Sequence, residues 1–184
     1  MLPYGPRDLA NAFRTVRTNT LEIVKEIPED KLDFSPAKDS KTIRQMLTHI
    51  AFSDEFAIAM HKGQLKSVMD IDFAEMMGRL SAEEQKPRDK ASLITLLTER
   101  GDAFASFLES LDDSFLAETV AMPPNADPAS KTRMEMLMGV KEHEMHHRGQ
   151  LMLTMRLLGQ VPPLTRRRQE QFAAMQAAAQ ASAR

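Results

Sequence analysis

The feature that most constrains this chain is the stretch between Thr132 and Gly159. Thr132 and Glu135 have the spacing of a capping box, in which each side chain satisfies a backbone N–H of the other. Gly159, followed by Pro162 and Pro163, ends the segment, because glycine takes the left-handed conformation of a helix terminus and proline cannot continue the helix. The span between is about 26 residues, or roughly 39 Å of helix. Most of its sides carry Met, Leu or Val, so it must be surrounded by other elements.

The rest of the chain supplies them. Phe13, Val16, Thr20, Ile23, Val24 and Ile27 recur at three- and four-residue steps after Pro6 and Asp8, predicting a first helix that ends at Pro28. Residues 28–40 read as a loop. Ser40 is the expected cap of a second helix carrying Ile43, Met46, Leu47, Ile50, Asp54 and Ala57, stopped by Gly63. In residues 64–88, Asp72 and Glu75 can cap a short helix with Phe73, Met76, Met77 and Leu80. Pro87 and Asp89 open a third long helix, apolar at Leu93, Leu96, Leu97, Phe104, Phe107, Leu108 and Leu111. Residues 112–131 form a long connection, briefly extended over Glu118 to Met122. The alanine-rich tail from Thr165 to Arg184 reads as a fifth helix. No segment alternates in the manner of a sheet. The expectation is an all-α four-helix bundle over residues 1–163, with residues 164–184 as a helical extension of the same domain.

Composition narrows the function classes. The 184 residues are 42% hydrophobic and 27% charged, with a formal net charge of −2, so no overall field attracts nucleic acid or anionic lipid. No apolar run approaches the ~20 residues of a membrane helix. The first residues, Met1 to Arg14, lack the basic flank and apolar stretch of a secretory signal, and the expected compartment is the cytoplasm. With no cysteine, disulfides and thiolate metal sites are excluded. The 14 methionines read as adaptable core filling. The run Arg166-Arg167-Arg168 reads as the charged start of a surface helix or an oligomer contact, and no nucleic-acid partner is expected.

Chemistry is carried by a polar stripe on the long helix: Gly139, His143, His147, Gln150 and Thr154 share one narrow face. Two histidines four residues apart reach a single divalent ion. His49 sits at the edge of the second helix's apolar stripe, facing a neighbour. By itself it reads more readily as a packing histidine, but a bundle site needs a ligand from a facing helix. His146 points elsewhere and reads as a surface or outer-sphere histidine. His61, near Gly63, reads as a helix-end histidine favoured by the dipole. The run His143-Glu144-Met145-His146-His147 also fits the H-E-x-x-H pattern of zinc proteases, with Glu144 as base and Glu170 as the available third ligand. Those enzymes hold substrate along a sheet edge, which this sequence does not offer. Glu142 and Glu144 read as solvated helix charges.

Thr42-Ile43-Arg44-Gln45-Met46-Leu47-Thr48-His49-Ile50, followed by His143-x-x-x-His147-Arg148-Gly149-Gln150-Leu151 and then Leu157-Leu158-Gly159 before the proline pair, resembles the DinB/YfiT-like family over roughly residues 8–163. The resemblance implies an up-down-down-up four-helix bundle holding one nickel, zinc or iron ion on His49, His143 and His147. It also implies a homodimer and chemistry on a small molecule. Relatives of that kind are thiol-dependent S-transferases or metal-dependent hydrolases, so the expectation is an S-transferase using a low-molecular-weight thiol, with a hydrolase or a catalytically silent metal-binding protein as alternatives. The tail after Pro163 departs from the shorter members.

Overall fold

A computed structural model describes residues 4–182; Ala183 and Arg184, at the end of the expected tail helix, and Met1 to Pro3 lie outside the described residues. The elements are α1 (Pro6–Glu26), α2 (Ile43–Ala51), α3 (Glu55–Lys62), α4 (Phe73–Glu84), α5 (Lys90–Glu109), α6 (Asp113–Ala117), β1 (Thr119–Ala121), β2 (Ser130–Thr132), α7 (Arg133–Leu157) and α8 (Pro163–Ser182). Four columns, α1, α2–α3, α5 and α7, form the bundle.

The expected termini of three columns are set by local chemistry. Pro6 occupies the first turn of α1, and the Asp8 carboxylate accepts from the Gly5 N–H at 3.0 Å. Asp89 accepts from Ser92 N–H at 2.7 Å and starts α5. The Thr132–Glu135 box starts α7. At its far end Gly159 has φ +78°, and Gln160 N–H donates back to Met155 O at 2.9 Å, closing the helix in the manner that favours glycine.

The second column departs from expectation. Its cap is Thr42, which exchanges hydrogen bonds with Gln45, rather than Ser40. The helix also breaks after Ala51 instead of running to Gly63. The carbonyls freed by the break are taken by side chains: Arg100 donates to Ala51 O at 2.7 Å and to Asp54 Oδ1 at 2.6 Å, and Ser53 donates to Ile50 O at 2.9 Å. A long-range arginine is invisible to helix periodicity, which is why the pattern looked continuous. The connection over 112–131 contains α6 and a two-stranded antiparallel hairpin, with Thr119 opposite Thr132, so the brief extended segment at Glu118–Met122 is present.

Contacts fix the direction of each column. Lys90, at the start of α5, reaches the carbonyls of Lys25 and Ile27 at the end of α1, so these two run antiparallel. Leu9 and Phe13 share an apolar cluster with Leu137 and Val140, while Ile23 and Val24 share another with Leu151 and Met155, so α1 and α7 run parallel. Ile43 lies in the Leu151 cluster and Ala57 in the Leu137 cluster, so α2–α3 runs against α7. The order is up-down-down-up. Two consecutive parallel columns, α2–α3 and α5, require a connection that returns the length of the bundle. That connection is residues 63–89, and α4, about 18 Å long, lies within it and packs on α2. α8 packs along α1, with Arg166 on Glu26 and Arg167 on Glu22.

Candidate metal centre

His49 lies in the last turn of α2, and His143 and His147 lie one turn apart on α7. The antiparallel packing of these helices brings the three rings together. His49 Nε2 is 3.3 Å and His147 Nε2 is 3.1 Å from His143 Nε2. The ligating atoms of all three lie within 4.8 Å of one another, and this is the cluster of metal-ligating type found among the described residues.

The remaining ring nitrogens explain why the Nε2 atoms face inward. His49 Nδ1 is 2.8 Å from Glu84 Oε1, and His147 Nδ1 is 2.7 Å from Gln150 Oε1. A carboxylate and an amide oxygen only accept, so both Nδ1 atoms carry the proton and both Nε2 atoms present lone pairs. His143 Nδ1 is buried without a partner. Its one proton satisfies at most one of the two facing lone pairs, so at least one of the converging nitrogens has no proton to accept. A divalent cation on the three Nε2 atoms answers that arrangement, and the donor set fits zinc, nickel or iron.

Protonation is suppressed where it would compete. Burial first, then the neighbouring His147, His49 and His146, push His143 down to about 4. Burial likewise lowers His147 against the opposing effect of Gln150. Neutral imidazole is the form that ligates.

Glu84 is the residue that sequence reasoning missed. It ends α4, is buried, and also receives an ion pair from Lys41. Met76, Leu80 and Glu84 recur every four residues and are all buried, so the helical period of α4 carried the signal. Continuing the expected short helix by one turn would have placed Glu84 on the inner face.

Other expectations are corrected. Glu144, read as a solvated charge or a protease base, is fully buried and paired with Arg17 at 3.0 Å. It faces away from the three histidines because it sits one residue beyond His143, on the α1 side of α7. Glu142 is exposed, and Glu170 lies exposed on α8, outside the histidine cluster. His61 is not a dipole-stabilised cation. It is buried, its Nδ1 accepts from Arg133 at 3.2 Å, and burial followed by the Arg133 charge lowers it to about 4. His146 is exposed; its ring meets that of His147 edge-on with centroids 5.0 Å apart, and its Nε2 is 3.2 Å from the Gln150 amide nitrogen, so it flanks the centre from outside.

The polar stripe on α7 faces open space rather than core. On one side of the centre, Gly139 and His143 line a cleft of about 450 Å³ with residues of α2, α3 and α4. On the other, His147, Gln150 and Thr154 line a cleft of about 370 Å³ that includes Asp39, Ser40 and Lys41. The histidines stand where the two meet.

The model of the DinB family matches residues 4–180. The chain belongs to the DinB family. Solved structures share the fold. A DinB-like protein of Bacillus subtilis is 21% identical with a TM-score of 0.62, covering 85% of this chain and 96% of that one. YfiT of Bacillus subtilis, described as a probable metal-dependent hydrolase with an unusual four-helix bundle topology, is 16% identical with a TM-score of 0.63, covering 86% and 90%. The colibactin self-resistance protein ClbS, solved in complex with double-stranded DNA, is 11% identical with a TM-score of 0.61, covering 85% and 98%. No curated protein matches the chain.

Proposed function

We propose that this DinB-family chain is a metal-dependent enzyme acting on a small molecule, with one divalent ion on His49, His143 and His147, and that its reaction is transfer of a low-molecular-weight thiol to an electrophile. The observation that carries the metal reading is the convergence of three Nε2 atoms whose partner nitrogens at His49 and His147 are held by Glu84 and Gln150. An ion held by His49, His143 and His147 would supply Lewis acidity, lowering the pKa of a thiol or a water brought to it.

The surrounding carboxylates favour thiol over water. Glu84 is committed to His49 and Lys41, Glu144 to Arg17, and Glu55 on the cleft wall lies 3.7 Å from Arg100 and 4.0 Å from Arg79. All three carboxylates sit beside cations. A thiol, with an ordinary pKa of about 8.5, needs far less help from a base than water does. With no cysteine of its own, the chain takes the sulfur from outside. Two clefts meeting at one centre give room for two substrates. In the transfer, the S–C bond forms, the bond from carbon to the leaving group breaks, and the thiol proton departs with that group.

Hydrolysis is the second reading, favoured by the description of YfiT as a probable metal-dependent hydrolase. One assay separates them. Metal-loaded protein given a panel of small thiols and a chlorinated arene should consume thiol in step with the arene, and His143→Ala should abolish this. Ester or amide cleavage with no thiol present would overturn the transferase in favour of the hydrolase.

We further propose a homodimer, supported by the exposed Leu153, Leu157, Val161, Phe172 and Met175 at the α7–α8 end. No nucleic-acid partner is proposed: Arg166 and Arg167 are paired with Glu26 and Glu22, and the net charge is −2. No described helix is long and apolar enough to cross a membrane.

A further inference from the structure

The two clefts at the centre differ in chemistry. The one bearing Asp39, Lys41 and Gln150 is edged by charge. The one bearing His49 and His143 is walled by Phe52, Phe56, Phe73, Met76, Met77 and Met136. Its carboxylate, Glu55, already lies beside two arginines, so it offers no free charge to an ionic occupant. Phe56 of α3 and Phe73 of α4 stack with ring centroids 5.5 Å apart, tying the two walls together. Phe73 and Met77 nevertheless remain 46% and 51% exposed, an apolar rim left open to water directly above the histidines' cleft.

Gly139 makes the floor. Glycine is a poor residue for the middle of a helix, and no close packing demands it here: a Cβ at this position would meet nothing within 4 Å. The space it leaves belongs to the cleft, one helical turn from His143. A group resting on Gly139 therefore has its next atoms beside the metal ligands. About 450 Å³ is in the range of small-molecule pockets, and methionine walls adapt to different shapes.

We propose that this cleft binds the apolar body of the electrophilic substrate, a neutral small molecule whose aryl or branched alkyl group lies on Gly139 between α3 and α4, with its reacting atom toward His143. The inference rests on the metal-centre reading above, but binding of the apolar group itself needs no metal.

The test uses the full chain and phenylnaphthylamine, a neutral dye that brightens on leaving water; with no tryptophan in the protein, background emission is low. Wild-type protein should bind the dye, and His147→Ala, which removes a metal ligand that does not line this cleft, should bind it as well. Gly139→Leu fills the floor with a better helix former, so it should keep its helix content while weakening the dye by about ten-fold or more. Phe73→Ser, at the exposed rim, should weaken it too. With electrophiles of one reacting group and growing apolar bodies, KM should fall in the wild type and stay flat in Gly139→Leu, with the thiol KM unchanged. Dye binding by folded Gly139→Leu within about two-fold of wild type overturns the inference. So does a change of light-scattering mass in that variant, which would make the cleft an interface between copies. Absence of thiol transfer with the dye pattern intact would overturn the transferase reading alone.

Discussion

Arg17 and Glu144 form an ion pair inside the bundle, with side chains 6% and 0% exposed and Arg17 Nη2 3.0 Å from Glu144 Oε2. Arg17 also donates to Leu97 O and reaches Ile50 O, so one side chain ties α1 to α2, α5 and α7. The pair lies between two apolar clusters, one around Ile23, Leu97 and Leu151 and one around Phe13, Phe104 and Leu137. Because Glu144 neighbours His143 in sequence, the charged layer lies at the level of the metal centre and fixes the rotation of α7 there.

Removing one partner of such a pair leaves the other charge buried, which costs about 3–5 kcal/mol. Glu144→Ala should therefore lower Tm by on the order of 10 °C and should act on stability rather than on chemistry. Arg17→Met with Glu144→Leu should be milder than the sum of the single changes. Additive losses in thermal denaturation would count against a coupled pair.

Gly101 provides the room for that arginine. A Cβ there would lie 3.0 Å from Arg17 Cγ and 3.1 Å from Nη1, and Arg17 is held from three sides. Gly101→Ala should destabilise although alanine is the better helix former. Gly139→Ala, with nothing near its Cβ, should gain up to about 1 kcal/mol. Equal shifts in denaturant midpoint for the two variants would refute the distinction.

His61 supplies a pH dependence away from the metal centre. Its folded pKa is about 4 against an ordinary 6.5. The unfolded chain takes up the proton first as pH falls, so the stability from neutral His61 is complete above about 6.5 and is lost on the way down to about 4. The total is roughly 3 kcal/mol. His61→Gln should flatten stability across that window in urea titrations. An unchanged slope would show that other groups govern it.

The bundle and its site were legible to different degrees. Helix termini written in local side chains, such as the Thr132–Glu135 box, Asp89 and Gly159, could be read directly. So could His143 and His147, which need only the period of one helix, and the family pattern added His49. What escaped depends on partners distant in sequence. Arg100 satisfies the break after Ala51 from 49 residues away, Glu84 meets His49 from 35 residues away, and Arg17 buries Glu144 from 127 residues away. A lone charge on a helix looks solvated until its counter-ion is placed.

Glu84 should tune the metal through His49. Glu84→Ala should weaken metal affinity about ten- to a hundred-fold while keeping the three ligands, and Glu84→Gln, which retains an acceptor oxygen, should fall between. Competition with a chromophoric chelator reads this out. Unaltered affinity in Glu84→Ala would remove the carboxylate from the centre's design.

Elemental analysis of purified protein decides whether one ion sits on His49, His143 and His147. Wild type and His146→Ala should each carry close to one nickel, zinc or iron per chain, His143→Ala and His147→Ala none, and His49→Ala severely less than one. Metal lost from His146→Ala but retained by His147→Ala would contradict that ligand set.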